Sequence, residues 1–572
     1  MAYFKRDRFS GIAPGVSPRL LADQFGQTAE NLDFESGRLK PTTNDADVFT
    51  LQSGLRRSIY YYRDTDWLEW DQDGVKAVQG PIPGDTLVRL YWSGQNYPRM
   101  GTVSTIVSGA AGYPANSYRL GVPAPANAPL TSKSGTPDAT QTPDDVSYVY
   151  TFVTAFGEEG PPSPATSPLE RTDTESVTIT MPTGDHPNGN YNFGSGALKR
   201  IYRSNTGSSN TTFQFLAEVP FATQTYVDNT PSAALGEVLP SETWIGPPDD
   251  NATLYPDGPM KGLIAVANGV FAGFTGKRLC LSEPFLPHAW PVDYRITLEE
   301  DIVAIGAVAN GIIALTNGQP YFVTGTDPSA MTAIRVDLPQ ACVNPNSVVD
   351  MGSYLLYAGP DGLCAVSGGE GRVVTEGLIS SSQWSSSFNP TGFRAFRHEN
   401  TYVAFWTDAG VHKGFVFDPR AEEAALSTLT TEAEVRGGYM NPKDGELYLI
   451  VANKIRKYRG STTKRTLIWK SKQVVMPKPV SMGWVSVHAQ AYPVTVKVWA
   501  DGVLIAHYTL SYAANVYTMT VTVPNGVSAG SLFEPVMRLP ARLAQVWEVE
   551  VSGAVEIDEV CLAQSMDEIA QS

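Results

Sequence analysis

The 572-residue chain has room for about three or four domains, because single hydrophobic cores stop growing at about 250–300 residues. Its formal net charge of −16 argues against wrapping nucleic acid, which needs clusters of Lys and Arg to neutralise phosphates, although an acidic wall suits a polyanion that slides past without sticking. With 51 Gly and 42 Pro, and runs of Val, Thr, Tyr and Phe between turn residues in place of long 3.6-residue patterns, the composition predicts a mostly β protein.

Residues 1–45 read as an N-terminal docking arm, too short to bury a core alone. Ser17-Pro18 predicts the start of a short helix with Leu21, Phe25 and Ala29 on one face. Leu32 to Phe34 and Arg38-Leu39 then predict a tight hairpin around Glu35-Ser36-Gly37. Lys5, Arg6 and Arg8 have no apolar stretch behind them, so no signal peptide is expected, and no apolar run reaches the length of a membrane span.

Residues 46–116 hold aromatic-rich strands at Ser58–Arg63, Asp64–Trp70 and Leu87–Trp92, which are expected to be the first strands of a propeller. Residues 117–248 are read as a linker followed by an inserted sandwich. Its alternating runs, from Val146–Phe156 to Thr225–Asp228, are separated by turns at sandwich-like intervals.

The stretch 249–465 carries a repeat. Turns at Asn268-Gly269, Asn310-Gly311, Gly352-Ser353, Glu399-Asn400 and Asp444-Gly445 recur at steps of 42, 42, 47 and 45 residues, each between apolar runs. Asn-Gly and Asp-Gly favour hairpins because both central residues of a type I′ turn need φ > 0. A hairpin cannot bury its own apolar face, so such a period predicts propeller blades. The first two copies share Ala-Val-Ala-Asn-Gly, with Ala272 and Ala314 three places after the Gly. Residues 466–572 alternate again, with a hairpin at Asp501-Gly502, and predict a C-terminal β-sandwich and a short polar tail.

No catalytic, cofactor-binding or metal-ligating residue is assigned. Gly276-Lys277 ends like a phosphate-binding loop, but Phe271 stands where the first Gly belongs and Arg278 replaces Ser or Thr. Glu69, Asp71, Asp73 and Gly74 open like a calcium loop that Gly80 leaves without its bidentate Glu. His186, His288, His398, His412, His488 and His507 are scattered. Glu299-Glu300-Asp301 reads as a turn surface. Cys280, Cys342, Cys364 and Cys561 form no C-x-x-C pair and read as buried free thiols.

Two resemblances add to this. The run from Tyr148 through Gly157 to Ser163 resembles a fibronectin type III strand pair. Gly11-Ile-Ala-Pro14, Gln27-x-Ala-x-Asn31, Ser36-Gly-Arg-Leu-x-Pro41, Gly80-Pro-Ile, Arg89-Leu-Tyr-Trp92, Lys199-Arg-Ile-Tyr-Arg203, Met537-Arg-Leu-Pro540 and Leu562-Ala563 together resemble the tail nozzle, or tail tubular, proteins of short-tailed bacteriophages. That resemblance implies a β-propeller structural subunit of the virion tail, with no catalytic residues. It implies a hexameric ring docked below the portal-adaptor, with DNA passing through the channel without sequence-specific binding. A receptor- or carbohydrate-binding propeller of a virion is the alternative.

Overall fold

The computed structural model describes every residue except 1–2, 34–36, 53, 110–111, 207–210, 420–424, 514–515, 524–525, 533–535 and 571–572. Strand accounts for 46% of the described residues and helix for 6%, so the class is mostly β, built from many small sheets. The chain divides into two compact units. Unit 1 comprises residues 1–61 and 336–572, and unit 2 comprises residues 62–335.

Unit 2 holds three four-stranded antiparallel meanders. Their strands are Lys76–Gln79, Leu90–Ser93, Arg99–Gly101 and Tyr118–Arg119; Lys261–Ala265, Phe271–Thr275, Arg278–Leu281 and Ile296–Thr297; and Ile302–Val308, Gly311–Thr316, Tyr321–Thr324 and Thr332–Arg335. Each meander is apolar on both faces, so the second strands Phe271–Thr275 and Gly311–Thr316 are buried throughout. Tyr91, Met100 and Leu120 of the first meander pack with Leu263, Phe271 and Cys280 of the second. Ala272, Phe274 and Leu281 of the second pack with Ile305, Ile312 and Ala314 of the third. The shared alanines of the repeat therefore lie where one sheet meets the next.

Between the first and second meanders sits the inserted module. Its sheets Leu130–Ser134/Ser176–Thr180/Thr225–Asp228 and Tyr148–Val153/Leu198–Thr206/Thr211–Pro220 both contribute to one core, with Tyr148, Tyr150, Phe152, Val177, Ile179 and Ile201 in contact. The stretch 102–145, rich in Pro, Ala, Ser, Thr and Gly, carries regular structure among its described residues. It contains a helical turn at Val103–Ile106 whose Ile106 is buried, and Leu130–Ser134 pairs with Ser176–Thr180.

Unit 1 repeats the pattern with a difference. Its first meander is Val349–Asp350, Leu355–Ala358, Leu363–Ser367 and Glu370–Val373, and its second is Arg394–His398, Thr401–Asp408, Val411–Asp418 and Ala425–Thr430. The third has only three consecutive strands, Val435–Met440, Leu447–Val451 and Lys454–Lys457, and its fourth is Ala46–Thr50 from the other end of the chain. The C-terminal region forms two sheets sharing a core. One runs Tyr3–Arg6, Ile557–Ala563, Trp484–Ala489, Val536–Arg538. The other contains Leu467–Ser471, Ala544–Gly553 and Val494–Ala500, and continues through Gly26–Glu30 into the second meander. Val496, Val549 and Val551 meet Val485, Val560 and Leu562 in that core.

All five repeat turns join the first and second strands of a meander. Asn268 and Gly269 both have positive φ, as a type I′ turn requires. The second copy differs: Val308 pairs with Gly311, so the turn is Ala309-Asn310, one residue earlier than the Asn-Gly spelling predicts. Gly311 is instead the first residue of its strand, where a Cβ would run into the Val323 carbonyl. The helix predicted after Ser17-Pro18 does not form either. Residues 13–25 make successive turns, Leu20 N–H bonding Ser17 O and Phe25 N–H bonding Ala22 O, before Gly26–Glu30 enters a sheet. Turn bonds within 13–25 and sheet pairing of Gly26–Glu30 satisfy backbone groups that a helix would otherwise have paired. Leu32-Asp33 returns as a hairpin, but it pairs with Lys40-Pro41 and not with the expected Arg38-Leu39, because Leu39 bridges Ile557; Phe34, Glu35 and Ser36 lie outside the described residues.

Candidate assembly surfaces

The phrases from the two chain ends meet in one seam of unit 1. Tyr3–Arg6 pairs with Val560–Ala563, burying Phe4 against the strand that carries Leu562-Ala563. Ile12 N–H bonds Leu426 O at 2.8 Å, and Gly11 lies so close to that carbonyl that no Cβ fits. Gln27 donates through Nε2 to Ser471 O at 2.8 Å and to the Glu548 carboxylate at 2.9 Å. Ala29 and Leu39 are fully buried. Asn31, at φ 56°, donates its amide to Thr466 O at 3.0 Å, and its N–H bonds Thr428 O. Gly26–Glu30 thus lies between Ala425–Thr430 and Leu467–Ser471, joining a meander to the C-terminal sheet. Phe9 packs edge-on to Trp469, with ring centroids 4.9 Å apart.

Beside the seam, within unit 1, opens a polar cleft of about 720 Å³ lined by Asn31, Asp45, Asp47, Glu432, Arg456 and Arg465 among others. Most of its charges are paired with one another. Arg456 bridges Asp47 at 2.8 Å and Glu432 at 3.2 Å, Lys454 also reaches Asp47, and Arg465 holds Asp45 at 3.3 Å. The hydrogen bond from Lys454 and the charge of Arg456 hold the exposed Asp47 carboxyl below its usual range. Among the described residues that line this cleft none is aromatic.

In unit 2 the inserted module rests on buried polar joints. Arg203 and Asp228 are both fully buried and bond at 2.6 Å, with Tyr148 OH donating to the same carboxylate at 2.8 Å and Arg171 4.0 Å away. The two glutamates of the Gly157–Gly160 turn point inward. Glu159 accepts from Thr151 and Tyr202 at 2.7 Å and pairs with Arg200 at 2.7 Å. Glu158 lies 3.7 Å from Arg89, which Asp85 also holds at 2.8 Å; burial raises the Glu158 carboxyl against the opposing pull of Arg89. His288 is buried nearby, and desolvation lowers its imidazole to about 4. Sequence reasoning missed these groups as structural. The signal was present in Lys199–Arg203, where three cations flank Ile201 and Tyr202 in one strand.

The near-motifs are accounted for locally. Gly276-Lys277 is a hairpin turn whose Lys277 Nζ donates to Glu299 O, and Arg278 pairs with Asp257. Glu69 is buried on its strand, and Asp71, Asp73 and Gly74 belong to the turn that follows. Glu300 accepts from Tyr321 OH at 2.7 Å, and burial together with that bond pushes the phenol up to about 12; Arg335 sits against Glu299 and Glu300. His186 packs among Phe152, Phe193 and Phe221, whereas His398 lies edge-on to Tyr458 at 4.9 Å. Cys280, Cys342, Cys364 and Cys561 are free and buried, and desolvation pushes Cys280 up to about 11 and Cys342 and Cys364 to about 12. Among the described residues no three His, Cys, Asp or Glu side chains are grouped as metal ligands. None of their helices is long and apolar enough to cross a membrane.

No family model matches the chain, and no curated protein matches it. Among solved structures, the extracellular domain of a hybrid two component system from B. thetaiotaomicron is similar at 8% identity and a TM-score of 0.21, over 86% of this chain and 47% of that one. This chain therefore spans about half the length of that structure. The WD40 domain of Toxoplasma gondii coronin is similar at 8% identity and a TM-score of 0.20, over 76% of this chain and 88% of that one. Likeness at this level carries no argument about function.

Proposed function

We propose that this chain is a structural subunit of a bacteriophage tail, a nozzle protein forming a ring around the DNA channel below the portal-adaptor. On this reading the four-stranded meanders are β-propeller blades. The inserted module is a fibronectin III-like sandwich, and the virion tail is where the protein works.

One observation supports this most. The phrases that resemble the tail family at the two chain ends lie hundreds of residues apart, yet Ile12, Ala29 and Leu39 from one end share a hydrophobic core of unit 1 with Met537, Leu539 and Leu562 from the other. They are parts of one packed joint, and a ring subunit under load requires its two chain ends to be tied into the body. The net charge of −16 fits a channel along which DNA moves without adhering.

Electron microscopy of purified particles and of the purified chain tests the proposal. The expected result is a ring, six copies by the resemblance, around an open channel at the tail. A monomer that is absent from particles and retained on immobilised glycans would overturn it in favour of a carbohydrate-binding protein.

A further inference from the structure

The C-terminal sheet of unit 1 ends on an open edge. From Val494–Ala500 the order runs outward through Val503–Ala513 and Val516–Val523 to Gly526–Leu532, and among the described residues no strand pairs with the far side of that last one. Exposed edges are templates for pairing with another chain, and proteins commonly blunt them with charge, Pro or a bulge. Other edge strands of unit 1 carry such guards: Lys5 and Arg6 in Tyr3–Arg6, Arg538 in Val536–Arg538, Arg394 and Arg397 in Arg394–His398, Glu370 and Arg372 in Glu370–Val373, Asp47 in Ala46–Thr50.

Gly526–Leu532 has neither charge nor Pro. Its register with the neighbouring strand runs unbroken from Tyr517↔Leu532 to Val523↔Gly526, without a bulge. The whole stretch between Asp501 and Glu534 lacks Asp, Glu, Lys and Arg, in a chain with 58 acidic and 42 basic residues.

We propose that Gly526–Leu532 pairs antiparallel with the same strand of a second copy of this chain across a two-fold axis, continuing the sheet from one copy into the next. Two reasons select a second copy as the occupant. Chains with a net charge of −16 repel each other, and this long uncharged stretch removes that opposition where the edges approach. An antiparallel edge is also self-complementary, so one surface suffices on both sides of the axis. A ring closes through head-to-tail contacts, so this contact is additional to those of the proposed ring and does not rest on them.

Sedimentation velocity and native mass spectrometry of the full chain, with Ser528→Pro, Ala529→Pro and the double variant Val527→Lys/Ala529→Lys, test the inference. Successive N–H groups of a strand point to opposite sides, so one proline removes an outward N–H and the other an inward one. The expected result is a wild-type dimer that the outward proline and the lysine pair weaken at least about tenfold, with circular dichroism unchanged. A monomeric wild-type chain, or a dimer that all three variants leave intact, overturns it. A ring in particles without this dimer leaves the proposed function standing and this inference refuted; the dimer without a ring does the reverse.

Discussion

Units 1 and 2 each stack three four-stranded meanders, but they are held together in different ways. Unit 2 is one continuous segment, residues 62–335, and its inserted module is secured by buried ion pairs such as Arg203–Asp228. Unit 1 is assembled from both chain ends, and strands from residues 3–50 complete its sheets. A continuous unit concentrates its risk in a few polar groups, whereas a stitched unit concentrates it in the strand that does the stitching.

The sharpest way to break that contrast is to remove the N-terminal strands. Deleting residues 1–45 takes Phe4, Phe9, Ile12, Phe25, Leu32 and Leu39 out of unit 1 cores. At about 1.5–3 kcal/mol for each large apolar side chain, the loss matches or exceeds the whole stability of a typical domain. Unit 1 is expected to unfold while unit 2 resists limited proteolysis. A truncated chain with native near-UV circular dichroism would mean that the segment is a separable arm.

In unit 2 the corresponding break is Asp228→Ala, which leaves Arg203 and Arg171 buried without their carboxylate. Breaking a buried pair on one side costs about 3–5 kcal/mol. Hydrogen exchange should show the damage in residues 130–228, with unit 1 unaffected. Unchanged protection there would show that Arg203 finds other partners at little cost.

These differences track what the sequence made legible. The meander repeat was readable because each turn and its flanking strands lie within about a dozen residues, and the 268–269 turn has the dihedrals its spelling requires. Residues 46–50 open the span expected to hold the first propeller strands, yet nothing in their sequence marks them as a strand. Their partner is Lys454–Lys457, and no local pattern encodes a pairing across four hundred residues. Ser17-Pro18 gave a sound local helix signal that tertiary pairing of Gly26–Glu30 overrode. The polar joints are hidden from the sequence because burial decides whether Glu158 or Arg203 is a surface charge or an internal lock.

Acid separates the units by a smaller margin. His398 in unit 1 and His288 in unit 2 are both buried and lowered to about 4, chiefly by desolvation. A lowered imidazole binds its proton more readily when unfolded, so its contribution is present above the ordinary value near 6.5 and is lost as pH falls toward 4, by up to about 3 kcal/mol each. Glu158 in unit 2 acts in the opposite sense. Its raised pKa favours the folded, protonated form as pH falls, which offsets part of the His288 loss. Between about pH 6.5 and 4.5, unit 1 is therefore expected to lose stability faster than unit 2, and His398→Phe to flatten its pH profile. Equal slopes in urea melts followed by hydrogen exchange would show that Glu158 contributes no offset.

The finest comparison uses one methyl group in each unit. A Cβ at Gly11 would run into the Leu426 carbonyl, and one at Gly311 into the Val323 carbonyl, so Gly11→Ala and Gly311→Ala impose nearly the same clash. The surroundings differ. Gly311 opens a strand paired on both sides within one meander, so its neighbours are fixed by contiguous hydrogen bonds. Gly11 lies on an irregular segment whose hold on Leu426 includes the single Ile12 N–H bond at 2.8 Å, and that segment can move away by giving it up. Overpacking costs about 1–3 kcal/mol when the backbone cannot yield. Gly311→Ala is expected near the top of that range and Gly11→Ala near the bottom, with the Gly11 variant showing faster exchange at Ile12 in place of a large drop in melting temperature. Should Gly11→Ala prove the costlier of the two, the seam is stiffer than the meanders it joins, and the stitched unit is the more rigid one.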